Sequence, residues 1–209
     1  MFTGIIEQLV EVVALKKEGS NLHISLKSTI TGELKIDQSV AHNGVCLTVV
    51  EINGGEYTVT AIKETLEKSN LGLLKVGSKV NMERCMKLGD RVDGHMVQGH
   101  VDQTAKCIQI KEEKGSYEFT FKHKESDNIT VDKGSVCVNG ISLTVVDSKD
   151  TSFSVAIIPY TFEHTNFQNI AIGNNSLLVN TNSSKNIAIG TDTIKTLNNN
   201  SVNGIIAIG

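Results

Sequence analysis

The chain contains one stretch of sequence twice, and this repeat constrains the fold more than any other feature. Residues 39–50 (SVAHNGVCLTVV) recur 96 positions later as residues 135–146 (SVCVNGISLTVV). The correspondence continues without a gap to Gly77 and Gly173. The opening heptapeptide MFTGIIE matches MVQGHVD at 96–102 with an offset of 95. Self-similarity over this length indicates two copies of one folding unit.

Each copy has the local pattern of short β-strands. Apolar and polar residues alternate at 22–26 and at 117–121, as in half-buried strands. The apolar run at 47–50 and its copy are rich in β-branched residues, which suits a buried strand. About six short strands per copy, separated by glycine-containing turns, predict a small closed barrel. The predicted fold is all-β: two tandem, similar six-stranded antiparallel β-barrels at 1–95 and 96–175, followed by an irregular or β-repeat tail at 176–209.

Composition and charge argue against several classes of partner. The net charge is −3 and the pI is about 6.1, so neither nucleic acid nor an anionic membrane is expected to bind. The opening residues lack the basic and apolar regions of a secretory signal. The four cysteines form no Cys-x-x-Cys pair, so we expect free thiols, no metal site and a cytoplasmic protein.

Several motifs, in order and at consistent spacing, resemble the riboflavin synthase family. They cover residues 1 to about 173. They are Met1-Phe2-Thr3-Gly4-Ile5 at the start, Asn43 to Val49 in the first copy, Lys63 to Leu66, the segment Gly94-His95 followed by Gly99-His100-Val101-Asp102, Asn139 to Val145 in the second copy, and Ile158-Pro159-Tyr160-Thr161.

The resemblance implies a specific reaction. The family converts two molecules of 6,7-dimethyl-8-ribityllumazine into riboflavin and 5-amino-6-ribitylamino-pyrimidinedione by passing a four-carbon unit from one to the other. It implies no metal and no cofactor. It also implies a homotrimer in which the first barrel of one subunit and the second barrel of a neighbour form the site.

The resemblance also implies catalytic residues. His100 is the leading candidate for proton transfer, because an imidazole titrates near neutral pH; its alternative role is to hydrogen-bond its own loop. His95 is expected to act structurally beside it. Cys46 occupies the family's nucleophile position and Ser142 is its partner in the repeat, which fits two sites with different duties. The alternative for Cys46 is a small buried apolar residue. Thr144, with Ser142, is expected to polarise the lumazine or position water.

A second set of residues is expected to bind the ring and the ribityl chain. A polyol needs several fixed hydroxyl and carboxylate partners. The expected set is Phe2, Ser39, Thr48, Glu64, Thr65, Lys133, Ser135, Asn139 and Thr161. Phe2 could instead be a buried anchor and Asn139 a turn former.

The tail departs from the family, whose members continue into a C-terminal helix. Ile-Ala-Ile-Gly occurs at 170–173, 187–190 and 206–209, between spacers rich in Asn, Ser and Thr. This resembles the repeats of trimeric adhesin heads, so a β-solenoid, a disordered tail and an aberrant fusion all remain open. An acidic residue expected from the family is replaced by Asn180 or Thr181. We therefore predict a weaker or absent trimer.

Three functions are compatible with these features. The first is an active synthase, favoured because Cys46, His100, Ser142 and Thr144 occur together. The second is a protein that binds lumazine or flavin without turnover, favoured by the altered tail and the missing acidic residue. The third is an adhesin-like fusion that carries the barrels as passengers.

Overall fold

The computed structural model describes residues 1–125, 127–170, 187–189 and 206–208. About half of these residues lie in β-strands, and the helices are single short turns. None of the helices in the described ranges has the length and apolar character needed to cross a membrane. The all-β prediction is confirmed.

The first unit is a closed six-stranded barrel. Its strands are β1 (Gln8–Glu18), β2 (Asn21–Lys27), β3 (Ser39–His42), β4 (Val45–Asn53), β5 (Glu56–Ala61) and β6 (Lys79–Arg84). They are hydrogen-bonded in the order β1-β2-β5-β4-β3-β6, and β6 closes the ring by pairing with β1. The helix α1 (Lys63–Lys68) follows β5.

The second unit repeats this arrangement with five strands. They are β7 (Ala105–Glu113), β8 (Ser116–His123), β9 (Ser135–Val138), β10 (Ile141–Lys149) and β11 (Ser152–Ile157), followed by α2 (Pro159–His164). The order β7-β8-β11-β10-β9 is that of the first barrel without its last strand. By the offset of 96, the sixth strand would fall at 175–180, outside the described residues.

Side-chain alternation explains why each sheet folds around its own core. Leu47 and Val49 on β4 are buried, whereas Val50 is 45% exposed and its counterpart Val146 on β10 is 46% exposed. The run at 47–50 and its copy are therefore buried on one face only, because successive side chains on a strand point to opposite faces. One face packs in the core, and the other is available for function.

The predicted tail lies mostly outside the described residues. Two short strands are described, β12 (Ile187–Ile189) and β13 (Ile206–Ile208), and they pair in parallel with identical residues in register. The proposed replacements at Asn180 and Thr181 fall outside the described residues.

The two units exchange short segments. Phe2 and Val97, which correspond in the repeat, form an antiparallel bridge, with N–H to O=C distances of 2.8 and 2.9 Å. The segment 1–5 then runs against the second unit, and the segment 96–100 runs against the first. Gly44 and Gly140 also lie in close contact, because a Cβ on either would lie within 3 Å of the other's backbone nitrogen.

A network of asparagines joins the two units beside this bridge. The Asn81 side-chain amide donates to the Asn139 carbonyl (2.8 Å) and to Asn166 Oδ1 (2.9 Å). Asn166 Nδ2 donates to Asn43 Oδ1 (2.9 Å), and Asn70 Nδ2 donates to Asn139 Oδ1 (3.0 Å). Because buried amides need partners, these bonds fix how the two units face each other.

Candidate functional site

Three predicted site residues share the outer face of the first barrel. Ser39 on β3 lies directly opposite Thr48 on β4, and Cys46 lies opposite Ala41. Their neighbours Val40 and Leu47 point into the core. Side chains on one face of a strand recur every second residue, so Ser39, Cys46 and Thr48 point the same way. We call these three residues the first half-site.

The second unit presents the corresponding group. Ser135 lies opposite Thr144, and Ser142 lies opposite Cys137. Thr144, like Thr48, is exposed, whereas Leu143 beside it is buried. We call Ser135, Ser142 and Thr144 the second half-site. The two groups correspond position by position through the repeat, and their roles stay predictions.

Each half-site is flanked by a segment of the other unit. The Cys46 N–H donates to the Gly99 carbonyl (2.9 Å), and the Ser142 N–H donates to the Gly4 carbonyl (2.8 Å). A Cβ on Gly99 would lie 2.7 Å from Cys46 Cβ, and a Cβ on Gly4 would lie 2.7 Å from Ser142 Cβ. Both glycines have positive φ, +83° and +76°. Only glycine suits such a close approach in this conformation.

The second half-site holds a histidine. His95 Nδ1 lies 2.6 Å from Ser142 Oγ, and the His95 N–H donates to the Thr3 carbonyl (3.0 Å). Burial lowers the pKa of His95, so the ring is predominantly neutral at physiological pH. A neutral imidazole can accept a proton from the Ser142 hydroxyl or donate one to it, according to its tautomer. Sequence reasoning gave His95 only a structural role, since nothing in the local pattern shows this contact.

His100 lies beside the first half-site. It directly follows Gly99, which contacts Cys46, and its side chain is exposed. The repeat places Ile5, which is 47% exposed, at the corresponding position beside Ser142. The two half-sites therefore differ: a thiol with an exposed imidazole nearby in one, and a hydroxyl bonded to His95 in the other.

Phe2 is fully buried, at 0% exposure. It packs with Ala41 and Val97, and the thiol-bearing residues Cys46, Cys85 and Cys137 pack around this cluster. Burial raises the pKa of the Cys137 thiol to about 11, so Cys137 is uncharged. Phe2 therefore lies where a buried anchor would lie, which was the alternative to its expected binding role. A contact of Phe2 with substrate stays a prediction.

The helix residues lie at the ends of the strands next to the half-sites. Strand β5 is antiparallel to β4, with Val59 opposite Val49, so α1 begins toward the Cys46 end of β4. Thr65 on α1 and its copy Thr161 on α2 are half-buried, and their carbonyls accept hydrogen bonds from the hydroxyls of Ser69 and Thr165, the first residue after each helix. Glu64 is exposed and lies 3.0 Å from Lys68 Nζ.

Lys133 and Asn139 lie in turns rather than on the half-site face. Lys133 is exposed in the turn before β9, with φ +64°, and its N–H donates to the Val145 carbonyl (2.8 Å). Asn139 has φ +49° and its side chain belongs to the asparagine network between the units. Asn139 therefore lies in a turn, which was the alternative to its expected binding role.

Sequence reasoning missed the buried carboxylate of Glu83. Glu83 lies on β6 and is 5% exposed. Its oxygens accept from the Thr3 N–H (2.6 Å), the Thr3 hydroxyl (2.8 Å) and the Gly4 N–H (3.0 Å). Alternating polar residues such as Asn81 and Glu83 normally indicate a solvated strand face, so the pattern pointed the wrong way.

The half-sites are partly exposed: Thr48, Ser135 and Thr144 are exposed, and Ser39, Cys46 and Ser142 are half-buried. A cavity of about 630 Å³ lies elsewhere, between the α1 region and the strands β7 and β8. None of the predicted site residues lines it. Closing a half-site over a flat ring system would therefore need a second surface.

Comparison with known proteins gives a family match for both units. The model of the lumazine binding domain matches residues 3–85 and 98–181. The chain is 38% identical over 175 residues to riboflavin synthase of Actinobacillus pleuropneumoniae, covering 83% of this chain and 81% of that protein. It is 40% identical over 169 residues to riboflavin synthase of Escherichia coli (strain K12), covering 79% of each chain.

Solved structures agree with the fold. LumP in complex with 6,7-dimethyl-8-(1'-D-ribityl) lumazine superposes with a TM-score of 0.74 at 20% identity, over 81% of this chain and 93% of that chain. LumP in complex with riboflavin gives a TM-score of 0.74 at 22% identity, over 80% and 92%. At these identities the likeness concerns the arrangement of the strands.

Proposed function

The chain belongs to the riboflavin synthase family, and we propose that it converts two molecules of 6,7-dimethyl-8-ribityllumazine into riboflavin and 5-amino-6-ribitylamino-pyrimidinedione. The observation that carries this proposal is the pair of half-sites. A reaction between two identical substrates needs two similar binding surfaces with different chemical groups, and the repeat supplies Cys46 at one position and Ser142 at the other.

The proposed reaction requires the protein to orient two lumazine rings and to transfer protons. The 7-methyl group of one lumazine is acidified by its ring, so its proton can be removed by a weak base, and the resulting carbanion attacks the other lumazine. We assign the proton transfer to His100, because an exposed imidazole beside Cys46 can reach a ligand on that face. Ser142, held by His95, and Thr144 polarise the second ring. Transfer of the four-carbon unit then yields the two products.

The remaining predicted residues bind substrate in this proposal. Ser39, Thr48, Glu64 and Thr65 serve the first half-site, and Ser135, Thr161 and Lys133 serve the second. Hydroxyl groups on neighbouring strands and helix starts suit a ribityl chain, because a polyol needs several fixed partners. Phe2 and Asn139 would support this surface from the interface between the units.

A second copy of the chain provides the missing surface. Both half-sites are partly exposed, and stacking two rings requires the first half-site of one chain to face the second half-site of another. We propose the family's homotrimer in a weakened form, because the tail lacks the family's helical sequence. Sedimentation at micromolar concentration should show dissociation, and a tight trimer would contradict this.

Four free cysteines are in keeping with a cytoplasmic enzyme.

The decisive test is incubation of the purified chain with 6,7-dimethyl-8-ribityllumazine, with riboflavin followed by absorbance and fluorescence. Conversion without any added cofactor is the expected result. Tight binding of lumazine without conversion would instead favour a lumazine- or flavin-binding protein. This second function is favoured by the tail, where Asn180 or Thr181 stands at the position at which the resemblance leads us to expect an acidic residue.

A further inference from the structure

The Glu83 carboxylate belongs to the first barrel by its position in the chain, but it binds the amino-terminal segment. Its oxygens accept three hydrogen bonds of 2.6 to 3.0 Å, from the Thr3 N–H and hydroxyl and from the Gly4 N–H. A buried carboxylate is costly unless such donors surround it. Glu83 therefore fixes where this segment leaves the first barrel.

The same segment supports the second half-site. The Gly4 carbonyl accepts the Ser142 N–H (2.8 Å), and the Thr3 carbonyl accepts the His95 N–H (3.0 Å). His95 then bonds to Ser142 Oγ (2.6 Å). Gly94 packs closely against both Thr3 and Ser142. A Cβ at this position would collide with the Thr3 carbonyl oxygen and lie 2.9 Å from Ser142 Cβ.

We propose that Glu83 is a positioning residue for the second half-site, acting through Thr3 and Gly4 on the Ser142–His95 pair. This inference rests on the proposed function. A carboxylate suits the role because two oxygens accept all three donors at once, whereas a glutamine would turn its own N–H groups toward a donor. The first half-site has a hydrogen bond of its own, from the Cys46 N–H to the Gly99 carbonyl, so we expect the effect of Glu83 there to be smaller.

The test compares Glu83→Gln with Glu11→Gln. Glu11 is an exposed carboxylate on β1, paired with Lys79 on β6 at 2.6 Å, and it contacts neither half-site residue set. We expect kcat to fall on the order of 10- to 100-fold in Glu83→Gln, since displacing a reacting group by about 1 Å can cost that much. KM should change less, because the first half-site still binds. Glu11→Gln should match the parent.

A spectroscopic measurement separates positioning from general loss of structure. Imidazole nitrogen NMR signals of His95 and His100 report one half-site each. Glu83→Gln should shift the His95 signals more than those of His100, because only His95 is bonded directly to Thr3 and Ser142. A folded Glu83→Gln protein with parental kcat and parental His95 signals would overturn the proposal.

A milder variant decides the question if Glu83→Gln does not fold. Thr3→Val removes only the hydroxyl bond to Glu83 and should shift the His95 signals in the same sense by a smaller amount. Unchanged His95 signals in that variant would count against the proposal. A parent chain that fails to convert lumazine would refute the proposed function, whereas the His95 signals, recorded without substrate, still decide the role of Glu83.

Discussion

His42 is a titratable side chain enclosed in the first barrel. Its Nε2 lies 2.8 Å from the Tyr57 hydroxyl, and both residues are 1% exposed. Burial lowers the pKa of His42 to about 4, because the charged imidazolium loses its hydration. The unfolded chain has the ordinary value of about 6.5.

This difference predicts acid sensitivity of the fold. Between pH 6.5 and 4 the unfolded state binds a proton that the folded state does not, so the free energy of unfolding falls as the pH drops through this window. The loss approaches about 3 kcal/mol near pH 4. It should be smaller in His42→Gln, measured by urea unfolding at several pH values. Tyr57→Phe keeps the imidazole and should keep the slope; equal slopes in parent and His42→Gln would contradict the prediction.

We expect substitutions of His100 and His95 to lower kcat more than substitutions of other histidines. His100→Gln is expected to lower kcat by about 10²-fold or more, the usual contribution of a general base. His23→Gln is the matched control, because His23 lies on β2, which pairs with neither β3 nor β4, and bonds to Glu18 and Thr60. Parental kcat in His100→Gln would remove His100 from the proposed mechanism.

The crossing segments act as elements of the half-sites, and their glycines can be tested in pairs. Gly99→Ala and Gly19→Ala both place a side chain at positive φ, which costs about 1 kcal/mol. Only at Gly99 would the new Cβ press on Cys46, whereas nothing lies within 4 Å at Gly19. Gly99→Ala should therefore lower riboflavin formation well beyond Gly19→Ala at equal protein concentration. Similar activity in the two variants would show that the contact is dispensable.

The strands could be predicted from sequence because their side chains alternate and because the repeat states each pattern twice. The exchange of segments could not be predicted. MFTGI and its copy have no periodicity that reveals a partner, and the contacts of Gly4 with Ser142 and of Gly99 with Cys46 join residues far apart in the chain. Likewise, Asn139 reads as a turn, and only the folded chain shows that its amide bonds to Asn70.

At the scale of the whole molecule, the asparagine network predicts that the two units unfold together. Asn166 is buried, and it bonds to Asn81 and Asn43 of the other unit. Asn166→Ala removes two hydrogen bonds between the units, from Asn81 Nδ2 and to Asn43 Oδ1, and should cost about 1–3 kcal/mol. Thermal unfolding should show a lower midpoint than in Asn53→Ala, which changes an exposed residue at the end of β4. A midpoint equal to that control would mean that the network adds no stability.

The exchange of segments between the units also bears on how the two copies persist together. A cut between residues 95 and 96 follows the boundary of the repeat, but it would leave Cys46 without Gly99 and Ser142 without Gly4. The half-site of each copy depends on a short segment of the other copy. A duplicate gene can normally lose one copy and keep the other working. Here a deletion of either half would damage the half that remains, so the two are inherited as a single working unit.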